Sequence, residues 1–216
     1  MKFILLFSFC VFMFWSCDTS SSTSENTKVE QSILKEFQSG DIIFHTSKSS
    51  QSLAIQKATK SKYSHMGIIY QKKDKSFHVF EAVQPVKITP LEEWINRGEN
   101  KHFVTKRLKN SEEFLTKKKL LLMKETGEKH LGKDYDLLFG WSDRKMYCSE
   151  LVWKIYKESL GIELGQLQQL KEFDLSDAIV QAKMKKRYGK NIPLEELVIS
   201  PERIFNAKQL ELVIEN

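Results

Sequence analysis

Two short apolar runs separated by a short polar stretch constrain this chain more than any other feature. His65–Tyr70 reads HMGIIY, Phe77–Val83 reads FHVFEAV, and Gln71–Lys75 between them is polar throughout. Runs of this length and composition read as strands, and so short a polar link joins them as an antiparallel hairpin. If Tyr70 pairs with Ser76, the register runs back through Ile69–Phe77, Ile68–His78, Gly67–Val79 and Met66–Phe80 to His65–Glu81. Opposed residues share one face of a sheet, which brings an imidazole and a carboxylate within reach of each other. A carboxylate on one ring nitrogen fixes the tautomer and leaves the other nitrogen free to take a proton. The register matters, because a slip of one residue sends the pair to opposite faces. By pattern alone, a surface pair of no consequence is an equal reading.

A thiol is the group such a base could serve. The chain has three cysteines, Cys10, Cys17 and Cys148, and the first two fall in an apolar leader, which rules out a disulfide scaffold in the body. Cys148 opens or directly precedes a strong helix, CSELVWKIYKESL, with Leu151, Val152, Ile155 and Tyr156 on one face and Gly161 as its stop. A helix N-terminus carries unpaired N–H groups and partial positive charge, which favours a thiolate and can stabilise an oxyanion. Taken alone, a buried structural cysteine is the commoner case.

The leader, residues 1–17, has Lys2 followed by an apolar run from Ile4 to Trp15, the length of a signal-peptide core and too short to span a bilayer. Ser16-Cys17 at its end resembles a bacterial lipobox, although Phe14 and Trp15 depart from the usual pattern. The resemblance implies lipidation at Cys17, a Ser/Thr-rich tether over 18–28 and a membrane-anchored lipoprotein of the cell envelope. The net charge of +6 comes from lysines interleaved with acids, as in QKKDKS (71–76) and KESLGIEL (157–164). That is a solvated lysine-rich surface, with weak attraction to anionic lipid and no nucleic-acid signature.

The remaining pattern fills one domain over 29–216. Helices are expected at 29–39 (ended by Gly40), 50–60, 91–96 and 111–131, the last burying Phe114, Leu115, Leu121, Leu122 and Leu131. Further strands are expected at 41–44, 101–108 and the terminal LELVI. The result is an α+β domain whose small, mainly antiparallel sheet is packed with helices. His45, His78, His102 and His130 make no zinc pattern, and His78 would face away from His65. Gly127–Asp134 nearly matches a phosphate-binding loop but has Asp134 where Ser or Thr must reach magnesium. No metal or organic cofactor is expected.

Gly40-Asp-Ile-Ile-Phe44, Tyr63-Ser-His65-Met-Gly-Ile, Phe80-Glu81-Ala, Tyr135-Asp136 and Tyr147-Cys148-Ser-Glu-Leu-Val152 occur in that order. Together they resemble the YiiX/YebB-like branch of the NlpC/P60 superfamily. The resemblance implies a circularly permuted papain-like fold, with Cys148 as nucleophile, His65 as base and Glu81 as third polar residue. It further implies a cysteine hydrolase, amidase or peptidase, acting on amide- or acyl-containing peptides, lipids or small molecules. Acyl transfer to a lipid and a non-catalytic lipid- or ligand-binding lipoprotein are the alternatives.

Overall fold

A computed structural model of the chain describes residues 34–216. The leader, Cys17, the tether at 18–28 and the first part of the helix expected at 29–39 lie outside the described residues. In the remainder of that stretch the helix ends at Glu36, earlier than expected, and Gly40, at φ +94°, turns the chain into the sheet.

The elements in order are β1 (Ile42–His45), α1 (Ser52–Thr59), β2 (His65–Gln71), β3 (Phe77–Glu81), β4 (Lys87–Pro90) and α2 (Leu91–Asn96). Then come β5 (Val104–Leu108), α3 (Ser111–Phe114), α4 (Lys117–Glu128), β6 (Asp134–Tyr135), β7 (Lys145–Met146) and α5 (Cys148–Leu160). The chain closes with β8 (Gln168–Gln169), α6 (Ala178–Tyr188), β9 (Leu197–Val198), α7 (Pro201–Phe205) and β10 (Leu210–Glu215). Six strands form one sheet in the order β10–β5–β1–β2–β3–β4, with every neighbour antiparallel. Central β1 is buried along its whole length, which is why IIFH lacks the alternation of a half-solvated strand.

Helix α5 lies over this sheet. Its face of Leu151, Val152, Ile155 and Tyr156 joins Ile42, Phe44, Met66, Ile68 and Phe80 in one core cluster. Burying each such side chain contributes about 1.5–3 kcal/mol. The Tyr156 hydroxyl donates to the Gly40 carbonyl, tying the helix to the start of β1. Beside that junction the buried Asp41 carboxylate accepts two bonds from Arg107 on β5, at 2.7 and 2.8 Å. Gly161 ends α5 at φ +73°, as expected from its position.

The hairpin forms, with its register two residues from the expected one: Gln71 pairs with Phe77, Tyr70 with His78, Ile69 with Val79 and Ile68 with Phe80. The turn explains the difference. Strand β2 runs one residue further, and Asp74 accepts bonds from both the Ser76 backbone and its hydroxyl, while Lys75 takes a positive φ of 68°. A shift of two keeps every side chain on its face. His65 and Glu81 become diagonal rather than opposed, and still share a side.

The helix expected over 111–131 is corrected to two. Leu115 leaves helical geometry, and Thr116 caps a fresh start by accepting from the Lys119 N–H. The restart rotates the buried face to Met123, Thr126 and Gly127, leaving Leu121, Leu122 and Leu131 at 53%, 42% and 40% exposure. Small residues win that face because Phe80 and Ile155 press against it; a Cβ at Gly127 would lie 3.2 Å from each. Helix α6 escaped the sequence reading, although Asp177 caps it and Val180 and Met184 mark its buried face at helical spacing.

Gly67 marks where β3 crowds β2. A Cβ there would stand 2.4 Å from Val79 Cγ1 and 2.5 Å from the Phe80 carbonyl oxygen. Because the obstacle includes backbone, Gly67→Ala is expected to destabilise the fold by about 1–3 kcal/mol. Thermal unfolding checks this, with an expected fall in Tm of about 2–4 °C per kcal/mol for a domain of this size.

Candidate active site

Glu81 closes β3 with its side chain fully buried. An isolated carboxylate there would protonate, since burial disfavours the charged form. Three donors reverse this. Glu81 Oε2 lies 2.7 Å from His65 Nε2, while Oε1 accepts from Thr89 Oγ1 at 2.5 Å and from the Arg97 guanidinium. Burial raises its pKa, but His65, Thr89 and Arg97 together bring it down to about 2.

His65 opens β2 and is almost as enclosed, at 8% exposure. Burial works against its charged form, yet hydrogen bonds to Cys148 and Glu81, with their charges, lift its pKa to about 9. Since Nε2 is held by Glu81, Nδ1 is the nitrogen left to Cys148. The structure thus brings all three sequence-predicted residues together, in the order carboxylate, imidazole, thiol.

The ring plane of His65 has a second support that sequence reading set aside. His45 pairs with His65 across the β1–β2 ladder, and its ring stacks on Trp94 at 3.9 Å between centroids and 5.2 Å from the His65 ring. Burial first, then the neighbouring charges of His65 and Arg97, push the His45 pKa to about 2, so it is a neutral wall. Gly98 makes room for it; a Cβ there would meet His45 Nδ1 at 2.9 Å. No motif singled out His45 or Trp94, because their signal is a sheet pairing and a distant helix.

Cys148 is the first residue of α5, with 3% exposure. Its N–H lies in the first helical turn, where backbone donors have no partner within the helix. The surrounding turn is held on both sides. Tyr147 N–H donates to Glu150 Oε2 at 3.3 Å, Ser149 Oγ donates to the Ile199 carbonyl at 2.8 Å, and Ile199 N–H donates to the Tyr147 hydroxyl at 3.1 Å. Tyr135 stands nearby, its hydroxyl accepting from Gln51 Nε2 at 2.8 Å. Burial, then the charge of Cys148, raises the Tyr135 pKa well above 10, so the phenol keeps its proton. Asp136 shapes the loop that follows by accepting from the Leu138 and Gly140 N–H groups at 2.8 and 2.9 Å.

Two clefts meet here. One opens on Cys148 and is apolar, lined by Ala54, Ile55, Phe139, Val180, Met184 and Val198 among others, with about 690 Å³ that includes open solvent. The other opens on His65 and is wide and lined mostly by polar residues, with about 1510 Å³ that includes open solvent. Gln51 and Tyr135 line both.

The two titrations fix a stability profile. The raised His65 pKa contributes stability that is complete below about pH 6.5 and lost as pH rises through about 9. The lowered Glu81 pKa contributes stability that is complete above about pH 4.5 and lost as pH falls through about 2. The contribution of the pair is therefore greatest between those inner limits. In Glu81→Gln the imidazole loses its carboxylate, and NMR titration of the His65 ring is expected to show its pKa falling from about 9.

The family model for the permuted papain-like amidases, YaeF/YiiX, C92 family, matches residues 36–214. The uncharacterized protein YiiX of Escherichia coli (strain K12) is 52% identical over 176 residues, covering 82% of this chain and 85% of its own length. A crystal structure described as the metalloprotein yiiX from Escherichia coli O157:H7 superposes with a TM-score of 0.80 at 51% identity, covering 84% of this chain and 98% of that one. Among the described residues no three His, Cys, Asp or Glu side chains are grouped to hold a metal ion, and Glu81 is already committed to His65, Thr89 and Arg97. The order of the site residues, with His65 and Glu81 ahead of Cys148, is that of a permuted chain. By the extent of the match and the shared fold, this protein belongs to the permuted papain-like amidase family.

Proposed function

We propose that the chain is a thiol amidase that cleaves an N-acyl bond with an apolar acyl part. The observation that carries this reading is the apolar cleft opening on Cys148 at the N-terminus of α5, beside the His65–Glu81 pair. In the proposed cycle the Cys148 thiolate attacks the amide carbonyl, forming a C–S bond. The oxyanion is met by the Cys148 N–H and the protonated Tyr135 hydroxyl, a stabilisation of the oxyanion-hole kind. His65 gives its Nδ1 proton to the departing nitrogen as the C–N bond breaks, and a thioester remains. Water, deprotonated by His65, then cleaves the thioester, releasing the carboxylic acid and restoring the thiol. Glu81 keeps the ring oriented throughout.

A cell-wall peptide is the less favoured substrate, because an acyl half made of peptide needs polar partners along its cleft, and this cleft is apolar. Transfer of the acyl group to a second nucleophile would use the same thioester. A purely binding role would leave the buried Glu81–His65–Cys148 array without a use. Anchoring through Cys17, expected from the leader, would hold the apolar cleft close to a source of acyl chains.

Cys148→Ala is expected to abolish release of decanoic acid from N-decanoyl amides, and full retention of activity would sink the mechanism. Wild type is expected to react with iodoacetamide below about pH 8, with the rate dropping at least about tenfold in His65→Ala. N-decanoyl substrates should outpace N-acetyl ones. Ala54→Phe, which narrows the apolar cleft, should reverse that order, as read by kcat/KM across acyl lengths.

A further inference from the structure

The two clefts divide the catalytic pair between them. Cys148 lines the apolar one and His65 does not; His65 lines the polar one and Cys148 does not. Thiol acyl transfer gives this division a meaning. The carbonyl carbon stays on sulfur, so the acyl half extends from the Cys148 side. The nitrogen leaves with the proton of His65, so the amine half extends from the His65 side. The scissile bond then lies at the junction that Gln51 and Tyr135 share.

The chemistry of the polar cleft limits what that amine half can be. Its charged lining is basic: Lys48 and Arg97 line it, and no Asp or Glu does among the described residues. Glu81 lies just beneath with no exposed surface, and its charge is matched by His65 and Arg97. Arg97 uses one terminal nitrogen on Glu81 and keeps further donors in its fork. Ser47, Ser49 and Ser50 add hydroxyls on the loop after β1, and Asn96 adds an amide, while the Gln84 amide is spent at the rim on Asp134 and the Tyr135 N–H. A cation would meet Lys48 and Arg97 with no carboxylate in the lining itself, Asp134 standing behind Gln84 at the rim, whereas an anion would meet donors on several sides.

Resting on the amidase reading above, we propose that the polar cleft receives the amine half of the substrate and that this half carries an anionic group. Carboxylate and phosphate are the two chemistries that fit the lining. The substrate class is an N-acyl amine with an apolar acyl chain and an acidic head.

Four probes of one acyl chain and similar reach test this on the full chain: N-decanoyl-glycine, N-decanoyl-phosphoethanolamine, N-decanoyl-ethanolamine and N-decanoyl-ethylenediamine. At low ionic strength kcat/KM is expected to be at least about threefold higher for an anionic head than for the neutral one, and lowest for the cationic head. The difference should lie in KM and shrink with added salt. Comparing the glycine and phosphoethanolamine amides tells which anion the cleft takes. Lys48→Glu is expected to bring the anionic-to-neutral ratio to one or below. Similar rates for all four heads, or a preference for the cationic one, would overturn the inference and leave the amidase reading standing. Hydrolysis of none of the four would overturn both.

Discussion

A carboxylate with no exposed surface, kept ionised by three donors, is the interaction on which the rest of this site depends. Glu81 joins the elements on either side of it: His65 from β2 and Thr89 from β4, the two neighbours of its own strand, and Arg97 from just beyond α2. Remove the charge and each partner loses its reason to point inward. The imidazole would lose its orientation, the half-buried guanidinium would lose its ion-pair partner, and Thr89 would need another acceptor. One buried negative charge thus organises two positive ones, and the cost of desolvating all three is offset only because they are satisfied together.

The sheet and the nucleophile helix share this logic at larger scale. The face of α5 lies against β1, β2 and β3 through fully buried aliphatic and aromatic side chains, which fixes where its first residue falls. Polar pins then set the orientation of that first turn, from Glu150 within the helix and from Ile199 in the tail. Apolar burial locates Cys148, and directional bonds aim it.

Much of this was legible in the sequence, for identifiable reasons. The pairing of His65 with Glu81 could be read because strand periodicity is two: even a register displaced by two residues kept both on one face. The helix behind Cys148 was legible through its amphipathic face and its glycine stop. What escaped reading was tertiary in origin. Thr116 interrupts a stretch whose leucine spacing reads as continuous helix, and which side of α4 is buried was decided by Phe80 and Ile155, not by leucine content. His45 and Trp94 carry no local signature of a role; only the β1–β2 ladder and the placement of α2 bring them to His65. The apolar cleft is built by α1, α6 and the 198–201 segment, whose residues read singly as ordinary core.

The permuted order has a consequence for the chain as it is made. His65 and Glu81 are sixteen residues apart, within a hairpin that closes early because its loop is short. Cys148 follows 83 residues after His65, and the Ser149–Ile199 bond that steadies it spans another fifty. During synthesis the base and its carboxylate therefore emerge well before the nucleophile they face. The thiol gains its aligned partner only when nearly the whole domain has emerged, so a chain that stops short of residue 148 carries the base and its carboxylate without the nucleophile they face.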